Sequence, residues 1–135
     1  MFTEQESAYL KSQPLARIAT VSLDAQPDVA PVGFEFDGRY LYVGGHTLAE
    51  TRKYKNVQLG STKVALVVDD LVSVNPWNPR GIRIYGIAEP VERKGRLGPG
   101  VYLRIKPRIS WSWNIEPASE GGFAVQKIVH ETGQD

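Results

Sequence analysis

A chain of 135 residues, 41% of them hydrophobic, can build one packed core but hardly two independent ones. Sixteen basic residues against fifteen acidic ones leave a net charge of +1, which excludes a whole-chain field that recruits nucleic acid or an anionic membrane. The absence of cysteine removes disulfides, thiolate chemistry and cysteine-based zinc sites, and His46 and His130 alone are too few for an imidazole-rich metal centre.

The opening residues, Met1 to Glu6, are polar and acidic and lack the charged and apolar regions of a secretory leader. No apolar run approaches the roughly 18 residues that a membrane span needs. The expectation is a soluble, cytoplasmic, single-domain protein over residues 1–135, with an N-terminal helix and linker over 1–14 and a polar tail over 131–135.

Thr3 and Glu6 have the spacing of a capping box and predict a short helix from Glu4 to Lys11. Pro14 then opens an extended run, Leu15 to Ser22. A turn over Leu23 to Pro27 leads into a second strand, Asp28 to Phe36, with Ala30, Val32, Phe34 and Phe36 on one face. Asp37-Gly38 is a tight-turn signal, and Tyr40 to Val43 is the return strand. Thr47 stands three residues before Glu50, a second capping box, and Gly60 occupies a C-cap position; together they predict a helix over Leu48 to Leu59. Further strands are expected at Lys63 to Asp69, Arg80 to Val91, Val101 to Ile105 and Phe123 to Val129. The prolines of Asn75 to Pro79 argue against helix or inner strand there. Arg93 to Gly100 reads as a Gly-rich loop. Short strands with few helices indicate an antiparallel, mainly β barrel or sandwich.

Three stretches can carry chemistry. At Gly44-Gly45-His46-Thr47 a strand ends and a helix follows, a geometry that suits phosphate. Arg52 and Lys53 add cations, and Thr47 or Thr51 a hydroxyl. The alternative is a capped surface helix, since Glu50 in its first turn opposes an anion. Trp111 and Trp113 stand two residues apart and share a face. They can stack on an aromatic ligand or seal a dimer interface, with Arg108 as an anion clamp, or they fill the core. The paired carboxylates Asp69-Asp70 suit acid–base work or a solvated turn, and Trp77 between prolines is a stiff, exposed aromatic. His46 is a candidate proton donor or a solvent-facing residue.

The segments "ARIATVS", "QPDVAPVGFEFDGRYLYVGG", "ETRKYKN" and "KVALVVDD", in that order, resemble the pyridoxamine 5′-phosphate oxidase-like superfamily of split β-barrels. Val67 to Gly81 and Tyr102 to Trp113 resemble its actinobacterial branch of deazaflavin-dependent enzymes, which contains an oxytetracycline-pathway dehydrogenase. The resemblance implies a mainly β, antiparallel split barrel with a few short helices, working as a homodimer with a cofactor site across each interface. It implies that Asp28, Val29, Ala30, Pro31 and Val32 line a tricyclic ring through backbone groups. Gly44, Gly45, Thr51, Arg52 and Lys53 would fall where a cofactor phosphate is gripped. Arg108, Trp111 and Trp113 would come from the partner subunit. The implied cofactor is the deazaflavin coenzyme F420, with FMN as the alternative; the implied activity is hydride transfer to or from a small organic substrate, with a non-catalytic carrier as the alternative. Residues Gly121 to Asp135 contain no arginine, so the Arg-x-His pair that holds substrate phosphate in true pyridoxamine phosphate oxidases is missing and the vitamin-salvage reaction is not implied.

Overall fold

The computed structural model describes residues 1–116 and 125–130. Helix α1 spans Glu4–Ser12, and both bonds of its capping box form: Thr3 Oγ1 accepts from the Glu6 N–H at 3.1 Å, and Glu6 Oε1 accepts from the Thr3 N–H at 2.9 Å. The strands are β1 (Leu15–Val21), β2 (Pro27–Gly33), β3 (Glu35–Phe36), β4 (Leu41–Val43), β5 (Lys63–Ser73), β6 (Asn78–Gly95), β7 (Gly98–Trp113) and β8 (Val125–Val129). Phe123 and Ala124, at the start of the expected last strand, and the tail over 131–135 lie outside the described residues.

The eight strands form one antiparallel sheet in the order β2-β1-β5-β6-β7-β4-β3, with β8 added beside β7. Strands β2 and β3 stand at opposite ends of that order, yet Phe34 alone separates them in the chain. The sheet must therefore curl until its ends meet, which makes it a split barrel. Period-two alternation fills the interior with Ala16 and Ile18 of β1, Val64, Leu66 and Val68 of β5, Ile82 and Ile84 of β6, and Leu103 and Ile105 of β7. Val32 and Phe34 are buried in the same core, as the sequence periodicity predicts.

Three expectations are corrected. The helix expected over Leu48 to Leu59 is a 3-10 turn, Leu48–Glu50, followed by a separate helix α2, Arg52–Gln58. Thr47 makes no capping bond; Thr51 caps instead, its hydroxyl accepting from the Tyr54 N–H at 3.4 Å. Glu50 thus precedes α2, whose first turn carries no acid. The C-terminus follows the sequence: Gly60 adopts φ +114, with Gly60 N–H donating to the Val57 carbonyl and Ser61 N–H to that of Asn56, a Schellman motif.

The loop expected over Arg93 to Gly100 is a hairpin in which Gly95 faces Gly98 across a turn of Arg96 and Leu97. Strand β7 consequently runs through both tryptophans. Strand β6, expected from about Arg80, opens two residues earlier, with Asn78 and Pro79 opposite Ser73 and Leu71; a proline at a strand start forfeits little of the ladder.

Candidate functional site

The outer face of the sheet is unusual because its strand register lines up apolar residues. Cα pairing aligns Val29, Ala19, Ala65, Tyr85, Ile109 and Val129 across β2, β1, β5, β6, β7 and β8. Three of these are strongly exposed: Val29 at 67%, Tyr85 at 45% and Val129 at 68%. A depression of about 540 Å³ lies along this row, floored by Ala19, Val21, Ala65, Ile87 and Ile109 and edged by Lys63 and Arg108.

A β-bulge explains Arg108. Gly86 pairs with Pro107 and Tyr85 with Ile109, so Arg108 has no opposite number on β6 and its exposed side chain sits at the depression. On the other side its carbonyl accepts from the His130 N–H at 2.8 Å, which holds the bulge against the end of β8.

Trp111 and Trp113 share the outer face, as their spacing predicts, and neither belongs to the core. Ser110 and Ser112 point inward and are buried, while both indoles remain half-exposed. The Trp111 ring meets Tyr85 edge-on at 4.9 Å, and the Arg83 guanidinium lies 4.3 Å over it. Trp113 lies over Gly81, where a Cβ would stand 2.7 Å from the indole, too close without a shift.

Among the described residues, strand β2 ends the sheet and pairs only with β1. Val29 and Pro31 are exposed on its outer side, whereas Asp28, Ala30 and Val32 pair with Thr20, Ile18 and Ala16, which are buried. The five residues assigned to a ring site therefore split between two faces, and their shared feature is the backbone edge.

Gly44 and Gly45 have different reasons to be glycine. A Cβ on Gly44 would come within 2.4 Å of the Tyr102 ring, so that position serves packing. Gly45, at φ +149, has open space where a side chain would stand, leaving its backbone approachable. Thr51, besides capping α2, donates its hydroxyl to the Leu48 carbonyl at 2.6 Å. Arg52 is exposed and Lys53 half-buried. Asp24, in the β1–β2 turn, is held below the usual carboxylate range first by the Ser22 hydroxyl, with a smaller contribution from Arg52, which places Arg52 near that turn.

Elsewhere the charges compensate one another. Arg80 binds Asp70 through Nε at 2.8 Å and Nη2 at 3.1 Å, and the Tyr9 hydroxyl donates to Asp70 at 2.7 Å. Those bonds, the Arg80 guanidinium first, hold Asp70 low, while burial and then Asp70 itself push Tyr9 up. Asp69 instead pairs with Arg17 at 2.5 Å. The two carboxylates sit on alternate faces of β5, each with its own arginine, so they form no acid–base pair. Arg104 and Lys106 both engage Glu89. Among the described residues, Arg52, Lys53, Lys63 and Arg108 have no carboxylate within ion-pair distance. Trp77 is 68% exposed at the β5–β6 hairpin tip. His46 is exposed at a second cavity of about 290 Å³, between Gly45–Ala49 and the β6–β7 turn.

Sequence reasoning missed Tyr85 and Lys63, because their place beside Arg108 depends on inter-strand register rather than on any local motif. No helix among the described residues is long and apolar enough to cross a membrane.

Comparison with known proteins agrees with this architecture. Residues 2–126 match the family described as pyridoxamine 5′-phosphate oxidase. The chain is 33% identical over 138 residues to a 5a,11a-dehydrotetracycline/5a,11a-dehydrooxytetracycline reductase of Streptomyces rimosus, covering 98% of this chain and 96% of the relative. Its fold resembles HupZ of Group A Streptococcus, with a TM-score of 0.67 at 20% identity over 90% of this chain and 100% of that one. It also resembles a solved F420 reductase, with a TM-score of 0.63 at 22% identity over 81% and 98% of the two chains.

Proposed function

The chain belongs to the pyridoxamine 5′-phosphate oxidase family, and on that premise we propose that it is an oxidoreductase using the deazaflavin coenzyme F420 to reduce or oxidise a small organic molecule. The observation that carries this reading is the outer depression. Its apolar floor suits one face of a flat tricyclic ring, and its rim holds two cations, Lys63 and Arg108, that have no carboxylate partner among the described residues. Relatives named as a dehydrotetracycline reductase and an F420 reductase support the same chemistry.

The coenzyme, when bound, would supply the hydride or take it up. The protein's residues hold and shield it. The open edge of β2 offers backbone groups to the ring, Arg52 and Lys53 serve its phosphate, and Gly45 lets that group approach main chain. The working unit is a homodimer. Covering the row from Val29 to Val129 with a second copy removes exposed apolar surface and carries the Arg108–Trp113 segment of each subunit toward the other's site.

Parallel titrations with F420 and FMN at moderate salt test the cofactor. F420, whose tail is anionic, should bind more tightly, and its affinity should fall as salt rises, because partly exposed cations are screened. Tighter binding of FMN would transfer the site to the flavin.

A further inference from the structure

The register that lines up the depression sets a second row beside it on the same face. Two residues along each strand, pairing aligns Pro31, Arg17, Val67, Arg83, Trp111 and Lys127. Trp111 stands between two cations there. The Arg83 guanidinium lies over its ring at 4.3 Å, from β6, and Lys127 Nζ approaches the same ring at 5.9 Å, from β8. Stacking on an indole holds a guanidinium by its face and leaves the in-plane N–H groups available to an acceptor. Among the described residues neither Arg83 nor Lys127 has a carboxylate within ion-pair distance. Asp69, one row further on this face, is engaged by Arg17 at 2.5 Å. Two cations thus converge on one half-exposed ring.

Their place relative to the coenzyme follows from the same register. Along β5 and β6 the pairs run Lys63 with Ile87, Ala65 with Tyr85, then Val67 with Arg83. Along β1 the order is Val21, Ala19, Arg17, and the turn that follows Val21 carries Asp24, near Arg52. The cations assigned to the phosphate therefore lie at one end of the depression and the Arg83–Lys127 clamp at the other. The coenzyme's acidic tail continues from its phosphate, so it departs on the Arg52 side. The clamp faces the opposite edge of the ring.

Tyr85 joins the two places. It lines the depression and meets Trp111 edge-on at 4.9 Å. Two residues along a strand span about 7 Å, a distance that an aromatic ring bearing a carboxylate covers.

Resting on the oxidoreductase reading, we infer that Arg83, Trp111 and Lys127 clamp the anionic end of the substrate, a planar conjugated organic anion whose body lies over Tyr85 toward the coenzyme ring. The probe is 2-naphthoate, added to the full chain without coenzyme and followed by amide and indole ¹H–¹⁵N spectra, with uncharged 2-acetylnaphthalene as control. Saturable shifts are expected at the Trp111 indole and the Arg83, Tyr85 and Lys127 amides, and the ketone should bind at least tenfold more weakly. Arg83→Ala with Lys127→Ala should weaken naphthoate binding at least tenfold; both side chains are exposed, and unperturbed core resonances report that the fold is kept. The same double variant should bind F420 within twofold of the wild type. With F420 also bound, nuclear Overhauser contacts between naphthoate and the coenzyme's ring protons are expected.

Equal binding of the ketone, shifts confined to Lys63 and Arg108, no saturable shift, or an unchanged affinity in the double variant would each overturn the clamp. Absence of the contacts to the coenzyme ring would overturn its assignment to substrate. A tenfold loss of F420 affinity in the double variant would give the two cations to the coenzyme's tail instead. Since naphthoate is first added without coenzyme, its failure to bind leaves the cofactor titrations standing, and a preference for FMN in those titrations leaves the clamp standing.

Discussion

Two ends of one sheet treat charge in opposite ways. Where α1 closes the barrel, polar groups are satisfied within the protein. The buried Glu6 carboxylate accepts from Ser112 Oγ at 2.6 Å and from the Thr3 N–H, Tyr9 and Arg80 share Asp70, and His130 contacts Ser110 at 2.8 Å beneath the Phe2 ring. Around the depression and α2, Lys63, Arg108, Arg52 and Lys53 have no carboxylate within ion-pair distance among the described residues, and Val29 and Tyr85 are exposed beside them. The first arrangement stabilises the fold and has nothing to offer a ligand. The second leaves cations and apolar surface open to solvent, the surface that the proposed coenzyme and second copy would cover.

Substitutions at the two ends should therefore have opposite signatures. Each charge-assisted bond to a phosphate contributes about 1.5–3 kcal/mol, so Arg52→Ala with Lys53→Ala should weaken coenzyme binding on the order of a hundredfold or more. Both side chains reach solvent, and the urea midpoint should hardly move. Arg80→Ala should do the reverse, costing about 1–2 kcal/mol of stability after allowance for its partial exposure while leaving coenzyme affinity intact. Isothermal titration and urea unfolding of the same preparations check both. If the double variant binds coenzyme like the wild type, the unpaired cations are only solvated charges.

The closed end also makes a pH prediction. Burial, then the nearby amino terminus, lowers the His130 pKa from 6.5 to about 4. Between those values the unfolded chain takes up a proton that the folded one refuses. Stability is therefore full above pH 6.5, falls as pH drops toward 4, and levels off below; the loss is about 3 kcal/mol. Asp70 and Glu89 are held low by their arginines, so their contributions begin to fall only around the unfolded values of 3.8 and 4.5, and most of the window above them belongs to the imidazole. Comparing urea midpoints at pH 7 and pH 4.5, wild type should show the step and His130→Asn should lack most of it. An equal step in both would place the acid sensitivity elsewhere.

What the sequence disclosed, and what it withheld, divides by range. The capping box at Thr3 and Glu6, the Schellman glycine at Gly60 and the Asp37-Gly38 turn rest on chemistry within a few residues, and each is found where expected. The start of α2 was misplaced because the Thr47–Glu50 spacing imitates a capping box; the 3-10 turn after Thr47 moves the cap to Thr51. Arg104 and Lys106 stand close to Arg108 in the sequence, but the β6–β7 register places Glu89 opposite Arg104 and within reach of both. Tyr85 reached the site through its register with Ala65 of β5, two strands from β1, and alternation within one strand cannot reveal that.

The smallest expected effect bears on whether the outer face is covered. Arg17 and Asp69 form an ion pair there at 2.5 Å, with side chains 46% and 44% exposed. Left in water, such a pair contributes about 0–1 kcal/mol and fades with salt. Arg17 also stands in register with Pro31 and Val67, one row from the apolar line through Ala19 and Tyr85. If a second copy covers that line, the pair becomes partly desolvated, and losing one member leaves the other charge beneath the interface. A double-mutant cycle of Arg17→Ala and Asp69→Ala, measured by thermal unfolding at two protein concentrations tenfold apart, separates the cases. The homodimer predicts a coupling above the exposed-pair range, a melting temperature that rises with concentration, and single variants that lower the mass seen by light scattering from twice 15.0 kDa toward that of one chain. A coupling near zero with a concentration-independent melting temperature would mean that this face meets only water, and the proposal that the partner's Trp111 and Trp113 close each site would fall with it.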